Sequence, residues 1–212
     1  MTCSITMKRI IGILLLCIAI GAMGLVYYAI HNRNAIKLKT SQEQSIAIRA
    51  TEALDYAKAH KLNTNYVLLV DYSIPSGTPR LFVWDFSRNK IVARTYVMHG
   101  VGKGSTAEKP VFSNAVGSEC SSLGKFKVTK FHGGKIKRSY RLIGLEATNS
   151  NAWRRGIMIH RSTWVDRWCW TEYIPLHEPS CQGCITVSSK GMTYLEKLIN
   201  NESEPILLWS YN

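Results

Sequence analysis

Apolar and polar residues alternate in short bursts through the middle of the chain. Tyr66-Val67-Leu68-Leu69-Val70 opens the first burst, and further bursts at residues 80–86 and 91–98 are rich in the β-branched and aromatic types that suit a pleated surface. The pattern predicts strands over 66–72, 80–86 and 91–98, with residues 74–79 as a loop and Ser87-Arg88-Asn89-Lys90 as a hairpin turn. Residues 126–131 and 135–142 read as a second hairpin turning at Gly133-Gly134. Residues 156–160 form a short apolar strand, and Pro205 precedes a last one over 206–211. Only two stretches switch to helical spacing. Ile46, Ile48, Ala50, Ala53, Leu54 and Ala57 follow an N-cap at Ser41 and run to about Lys61, and Met192, Leu195, Leu198 and Ile199 follow Ser188-Ser189. The expectation is a mainly β domain with one or two helices.

The N-terminus has a different texture. Residues 10–30 contain no charge, follow Lys8 and Arg9, and end near Tyr27 and Tyr28, which suits a bilayer-spanning helix with an interfacial aromatic edge. The run is longer than the apolar core of a cleaved signal peptide, and the small-x-small sites Ala19-Ile20-Gly21 and Gly21-Ala22-Met23 lie inside it. An uncleaved anchor is expected, with a cleaved signal as the alternative. Cys17 follows Leu16 rather than a small residue, so it is not a lipid-attachment site. Arg33, Lys37 and Lys39 beyond the span balance Lys8 and Arg9, so charge alone does not orient it. The layout is a short segment at 1–9, the anchor or signal at 10–30, a linker and helix at 31–62, and one domain at 63–212.

Charge narrows the class of partner. The formal net charge is +13, and Lys125, Lys127, Lys130, Lys135, Lys137, Arg138 and Arg141 fall between Glu119 and Glu146 with no acidic residue among them. Such a run is either the solvated face of a hairpin or an electrostatic grip on an acidic wall polymer or lipid headgroups. No nucleic-acid-binding motif accompanies it, and nucleic acid is not expected as a partner.

The chemistry concentrates between residues 157 and 184. Ile157-Met158-Ile159-His160 closes an apolar run on a histidine, and Ser180-Cys181-Gln182-Gly183-Cys184 follows after a tryptophan-rich connection. A cysteine attacks acyl carbon as thiolate, and an imidazole within hydrogen-bond reach is the usual activator. Cys184 and His160 therefore read as nucleophile and base. Gly183 lets the backbone turn tightly beside the nucleophile and aim amide N–H groups at an oxyanion. Cys181-x-x-Cys184 could also be a redox pair, but no βαβ context surrounds it. A zinc site from Cys169, His177, Cys181 and Cys184 lacks a second paired motif, so no metal and no cofactor are expected. Upstream, His99, Asn114 and Ser118 lie among glycines and hydroxyls, where they either touch substrate, order the histidine, or serve turns. Residues 161–179, with Trp164, Trp168 and Trp170, are long for a connection and read as a lid or wall.

Three blocks carry a family resemblance. Gly144-Leu145-Glu146, then Asn151-Ala152-Trp153-Arg154-Arg155-Gly156-Ile157-Met158-Ile159-His160, and Phe112-Ser113-Asn114-Ala115-Val116-Gly117-Ser118-Glu119-Cys120-Ser121-Ser122-Leu123-Gly124 resemble one branch of the L,D-transpeptidase (YkuD-type) murein cross-linking enzymes. The resemblance covers residue 66 to the C-terminus. It implies a β-sandwich-like catalytic domain with the site near the end of the His-bearing strand, and an exported location, anchored in the inner membrane with the domain in the periplasm or released there. It further implies acyl transfer on peptidoglycan stem peptides through a Cys184 thioester, with release of terminal D-alanine. His160 would be the base, and the amides of Gly183 and Cys184 the oxyanion donors. An L,D-carboxypeptidase and a non-catalytic wall-binding module are the alternatives.

The chain departs from the family at three positions. Cys181 stands where the family's Ser-x-Gly-Cys pattern has serine, with Ser180 displaced by one; Arg161 replaces the glycine after the histidine; Thr186 stands where many members have arginine. Arg155 or Arg161 is then expected to receive the substrate carboxylate. Pairing among Cys120, Cys169 and Cys181 is left open.

Overall fold

β1 (Tyr66–Asp71) and β2 (Leu81–Asp85) form the first antiparallel pair, and β3 (Lys90–Thr95) returns along β2 through the turn predicted at residues 87–90. The expected strand at 91–98 is broken at Tyr96. β4 (Val97–Met98) leaves β3's sheet partner and pairs instead with β8 (Ile185–Val187) at the far side of the fold. The chain is a computed structural model, and it describes residues 20–26, 40–131, 138–177 and 181–212.

The remaining strands are β5 (Gly124–Val128), β6 (Ser139–Gly144), β7 (Met158–Arg161) and β9 (Leu207–Tyr211). Nine strands form one sheet in the order β3-β2-β1-β9-β5-β6-β7-β8-β4. Its two edge strands, β3 and β4, are separated by a single residue, Tyr96. Edges joined by one residue cannot lie at opposite ends of a flat sheet, so the sheet rolls nearly closed around its own core. The expected sandwich therefore takes the form of one sheet folded back on itself.

Side-chain alternation sorts the strands' two faces. Leu68, Val70, Leu81, Val83, Phe126, Leu142, Ile159, Ile185 and Leu208 point inward and meet Met192, Leu195 and Ile199 of α3 (Ser189–Asn201). Ser188 caps α3 by accepting from the Gly191 N–H at 3.1 Å. On the other face of β9, helical residues 47–59, here α1, bring alanines 50, 53 and 57 to buried positions, a small-residue stripe that permits close approach. Arg49 lies over the rings of Trp209 and Tyr211, and Lys125 lies over Tyr56 and Trp209.

The long connection after β7 contains α2 (Thr163–Trp168), which the sequence pattern did not reveal. Ser162 caps it, and Asp166 accepts from the Ser189 N–H and hydroxyl, tying α2 to the start of α3.

The chain divides into two compact units, Met1–Ile46 and Ala47–Asn212. In the first, residues 20–26 and 40–46 are helical. The rest of the apolar segment predicted at 10–30 lies outside the described residues, and among the described ones no helix is long and apolar enough to cross a membrane. The hairpin tip at Gly133-Gly134 and Ser180 also lie outside them.

Candidate active site

Register fixes which side chains share a face. β6 and β7 pair Ser139 with His160 and Arg141 with Met158, and β7 and β8 run parallel with His160 beside Thr186. Tyr140, Ile157, Ile159, Ile185 and Val187 belong to the inner core. Ser139, Arg141, Met158, His160 and Thr186 therefore occupy the outer face, where β4 adds Met98 next to Thr186.

Cys184 directly precedes β8. One step back along the register from Ile159↔Ile185 sets it beside Met158, whose N–H donates to the Cys184 sulfur. Two rows result: Arg141, Met158 and Cys184, then Ser139, His160, Thr186 and Met98. Cys184 and His160 are diagonal neighbours, with Cα atoms roughly 8 Å apart from strand rise and spacing. An imidazole and a thiol can meet between them.

The tautomer of His160 follows from its partners. Nδ1 lies 3.0 Å from the Arg161 carbonyl, which can only accept, so the proton sits on Nδ1 and Nε2 is the free base. Nε2 faces the Thr186 hydroxyl at 3.3 Å. Burial holds the His160 pKa below the ordinary histidine range, against the opposing pull of the Arg161 carbonyl. Burial likewise pushes the Cys184 thiol up, although the Met158 N–H and the charges of Arg155 and Arg141 pull it down. The resting pair is neutral thiol and neutral imidazole.

The turn before Cys184 is held from several sides. Gly183 has φ of 97°, and a Cβ there would lie 2.5 Å from the Cys120 carbonyl and 2.7 Å from Arg155 Nη2. Gly183→Ala costs about 1–2 kcal/mol through the left-handed backbone alone, with the overlap in addition. A melting temperature lower by about 2–8 °C from the backbone alone is the expected result; an unchanged melt in scanning calorimetry would contradict a strained turn at Gly183. The Cys181 carbonyl accepts from the Val101 N–H at 3.1 Å, and Gln182 Nε2 donates to Glu119 Oε1 at 3.2 Å.

Cys181 is buried and enclosed by polar partners. Its sulfur receives the Gly183 N–H and lies 3.1 Å from the Cys184 carbonyl and 3.6 Å from that of Met98, and burial pushes its pKa up to about 12. It interacts with Thr186 as well. A thiol so disposed stays protonated and braces the turn. The Gly183 N–H, one of the two oxyanion donors expected from sequence, is instead turned toward the Cys181 sulfur. Cys120, Cys169, Cys181 and Cys184 are all free thiols.

The other sequence candidates separate. Arg155 lies beneath the turn, where Nη1 donates to the Ser113 carbonyl at 2.9 Å and to Ser122 Oγ, and Nη2 donates to the Cys120 carbonyl. Its donors go to the protein, not outward. Asn114 clamps the 147–151 loop, donating to the Ala147 carbonyl and Ser150 Oγ and accepting from the Asn151 N–H. The Ser118 hydroxyl is buried without a partner, and a Cβ on Gly102 would lie 2.2 Å from the Ser118 carbonyl. Arg161 is exposed and stands three residues along the strand direction from the Cys184 row, roughly 10 Å. Over the outer face, Val165 and Ile174 pack with Met98 and Cys181, flanked by Trp164 and Trp168, so the described part of the connection, residues 161–177, covers that face there.

One group was missed entirely. Arg80 opens the apolar burst at 80–86 and looks like a strand-edge charge, yet it is 1% exposed. It donates from Nε to the Val97 carbonyl and from Nη1 to the Ile74 carbonyl, both at 2.9 Å, and from Nη2 to His99 Nδ1 at 3.0 Å. His99 Nδ1 must then be the acceptor, with Nε2 donating to the Thr106 carbonyl at 2.8 Å. Burial first, and the Arg80 charge second, lower the His99 pKa to about 4. His99 is thus a neutral structural group rather than a base.

The shift has a stability consequence. Below about pH 6.5 the unfolded chain takes up a proton that native His99 refuses, so stability falls as pH drops from 6.5 toward 4. The loss is on the order of 3 kcal/mol at the bottom of that window. Urea unfolding at pH 7 and pH 4.5 should show it, and His99→Gln should flatten it; equal acid sensitivity in the variant would refute the assignment.

Comparison with known proteins gives one family match. A family profile described as an L,D-transpeptidase catalytic domain matches residues 38–209. No curated protein sequence matches the chain. Among solved structures, the helical cell shape determining protein Pgp2 of Campylobacter jejuni (K307A mutant) is similar at 11% identity and TM-score 0.44, over 70% of this chain and 48% of that one. The L,D-transpeptidase of Xylanimonas cellulosilytica (residues 123–326) is similar at 18% identity and TM-score 0.36, over 69% and 60%. The aligned region thus spans about half of the first structure and three-fifths of the second.

Proposed function

Because the chain belongs to the L,D-transpeptidase catalytic domain family, we propose that it performs cysteine-dependent acyl transfer on peptidoglycan stem peptides. The observation that carries the reading is the shared outer face of Cys184 and His160, one diagonal apart, with the imidazole neutral and its unprotonated Nε2 facing the Thr186 hydroxyl. His160 takes the Cys184 proton as the sulfur attacks the carbonyl on the L-centre of the diamino acid. The Cys184 N–H receives the oxyanion. Collapse breaks the C–N bond, His160 returns the proton to the departing amine, and D-alanine leaves behind a thioester. An amine from a second stem, deprotonated by His160, forms the new amide and restores the thiol.

Water in place of that amine would give carboxypeptidase products. We place the domain in the cell envelope, held by the apolar segment at 10–30. The test is full-length, reduced protein with disaccharide-tetrapeptide, followed by mass spectrometry of protein and products. An acyl adduct with D-alanine release supports the reading, and dimer against tripeptide decides transferase against hydrolase. Absence of adduct and product, with the protein still sedimenting on purified cell wall, favours a wall-binding module instead.

A further inference from the structure

The histidine on the outer face is held at both ring nitrogens. Thr186 stands beside His160 in the parallel register of β7 and β8, and its hydroxyl lies 3.3 Å from Nε2. Nδ1 keeps the ring proton and donates it to the Arg161 carbonyl, so at Nε2 the hydroxyl is the donor. Both side chains are buried, His160 at 5% exposure and Thr186 at 0%. In the resting enzyme Nε2 therefore meets this hydroxyl rather than bulk water.

The hydroxyl is itself supported from behind. The Cys181 sulfur is hydrogen-bonded to it and lies 3.6 Å from the Met98 carbonyl, and Met98 pairs with Thr186 across β4 and β8. A line of three groups results: Cys181 Sγ, Thr186 Oγ1 and His160 Nε2. A hydroxyl in the middle can give one hydrogen bond and accept others, and at 3.3 Å its bond to the ring is long, one that an arriving thiol proton can displace. The groups around the ring that can carry charge are Arg141 on β6, Arg161 on β7, and Cys181 and Cys184 in the turn. β4, α2 and α3 bring apolar Met98, Val165, Met192 and Leu195, while Asp166 is bound to Ser189, Arg167 lies over Trp168 and His177 is stacked on Trp164. Burial first and the Arg161 carbonyl second set the pKa of the ring.

We propose that Thr186 is the positioning residue of the base: its hydroxyl donates to the neutral imidazole, yields Nε2 to the Cys184 thiol, and turns to accept from Nε2 once the ring is charged. The assignment rests on the acyl-transfer reading for the step it serves and goes beyond it in naming what holds the base between turnovers. As the Cys184 proton moves to Nε2, the sulfur's electron pair forms the bond to the acyl carbon and the ring becomes imidazolium. Rotation about the Thr186 Cβ–Oγ1 bond then presents an oxygen lone pair to the Nε2 proton and directs the hydroxyl proton toward the Cys181 sulfur. No backbone has to move. Charge-assisted hydrogen bonds are roughly twice as strong as neutral ones, so loss of the hydroxyl costs the imidazolium more than the imidazole.

The experiment compares full-length wild type with Thr186→Val, which keeps the shape and removes the hydroxyl, and Thr186→Ser, which keeps the hydroxyl. The ring ¹⁵N shifts of His160 are followed against pH, the signal being identified by its loss in His160→Gln, and acylation by disaccharide-tetrapeptide is read by intact mass. Thermal melts alongside identify a misfolded variant. Thr186→Val should lower the His160 titration by about one pH unit and slow acylation by roughly 10- to 100-fold, and Thr186→Ser should restore both. An unchanged titration in Thr186→Val overturns the proposal, as do equal losses in Thr186→Val and Thr186→Ser, which would mark a packing defect. Should Thr186→Val misfold, wild type alone still decides: at neutral pH its ring proton must sit on Nδ1, and a proton on Nε2 overturns the assignment. If wild type is not acylated but its His160 titration depends on the Thr186 hydroxyl in this way, the acyl-transfer reading fails and the role of Thr186 in holding the ring stands. If wild type is acylated and both variants match it, the reading stands and the proposal fails.

Discussion

Cys184→Ala is expected to remove the acyl adduct and all peptide products, a fall of about 10⁴-fold or more in rate, while Cys181→Ser retains activity. The contrast follows from the two thiols' surroundings. Cys184 takes the Met158 N–H and feels two arginines, on the same face as the unprotonated Nε2 of His160. Cys181 is buried with its pKa near 12, and its partners are Gly183, Thr186 and the carbonyls of Cys184 and Met98. Serine can reproduce those hydrogen bonds, so the turn should survive the exchange. Alkylation separates the sites further. Because the Cys184 thiol is raised above its ordinary range, iodoacetamide labelling of the free enzyme should climb at higher pH than for an unperturbed cysteine, and Cys184→Ala should remove that labelling. An adduct that persists in Cys184→Ala and vanishes in Cys181→Ser would reverse the assignment.

The elements legible in the sequence are those whose apolar period is local. β1, β2 and β9 are near-continuous apolar runs and α3 carries a helical stripe, each long enough to announce itself. β8 has three residues and α2 six, too few for a period, and both lie in the stretch where packing over the outer face overrides pattern. The break at Tyr96 was invisible for another reason. Residues 91–98 are continuously strand-like, and only the rolling of the sheet, which brings β8 to the end of β3, makes the chain change partners there.

The candidate site divides along the same line. Cys184, Gly183 and His160 stand out in the sequence because the chemistry expected of them is carried by residue type and order. The roles of Arg155 and Asn114 were not, since which acceptors meet a guanidinium or an amide depends on loops brought together from residues 113–122 and 147–155.

Arg80→Met is expected to lower stability by about 3–5 kcal/mol, because it leaves buried acceptors with no donor. The Val97 and Ile74 carbonyls and His99 Nδ1 all depend on this one guanidinium, and Arg80 also lies 4.9 Å from the Tyr72 ring. Burial holds its own pKa down to about 10, which still keeps it charged at neutral pH. The melting temperature should fall by about 6–20 °C. A coupled effect distinguishes this network from simple cavity formation. The Arg80 charge helps hold the His99 pKa down, so removing it lets that pKa rise toward 6.5 and shrinks the stability lost between pH 6.5 and 4. Burial, the larger cause, remains, so the acid dependence should weaken without disappearing. The consequence reaches the nucleophile through β4: Val97 is the residue Arg80 holds, and the next carbonyl, that of Met98, faces the Cys181 sulfur. Arg80→Met should therefore also slow acylation of Cys184 well below its melting temperature. Urea unfolding at two pH values and acylation by intact mass would together decide the matter; wild-type stability and acid dependence in the variant would sink the assignment of Arg80 as the post on which the nucleophile turn stands.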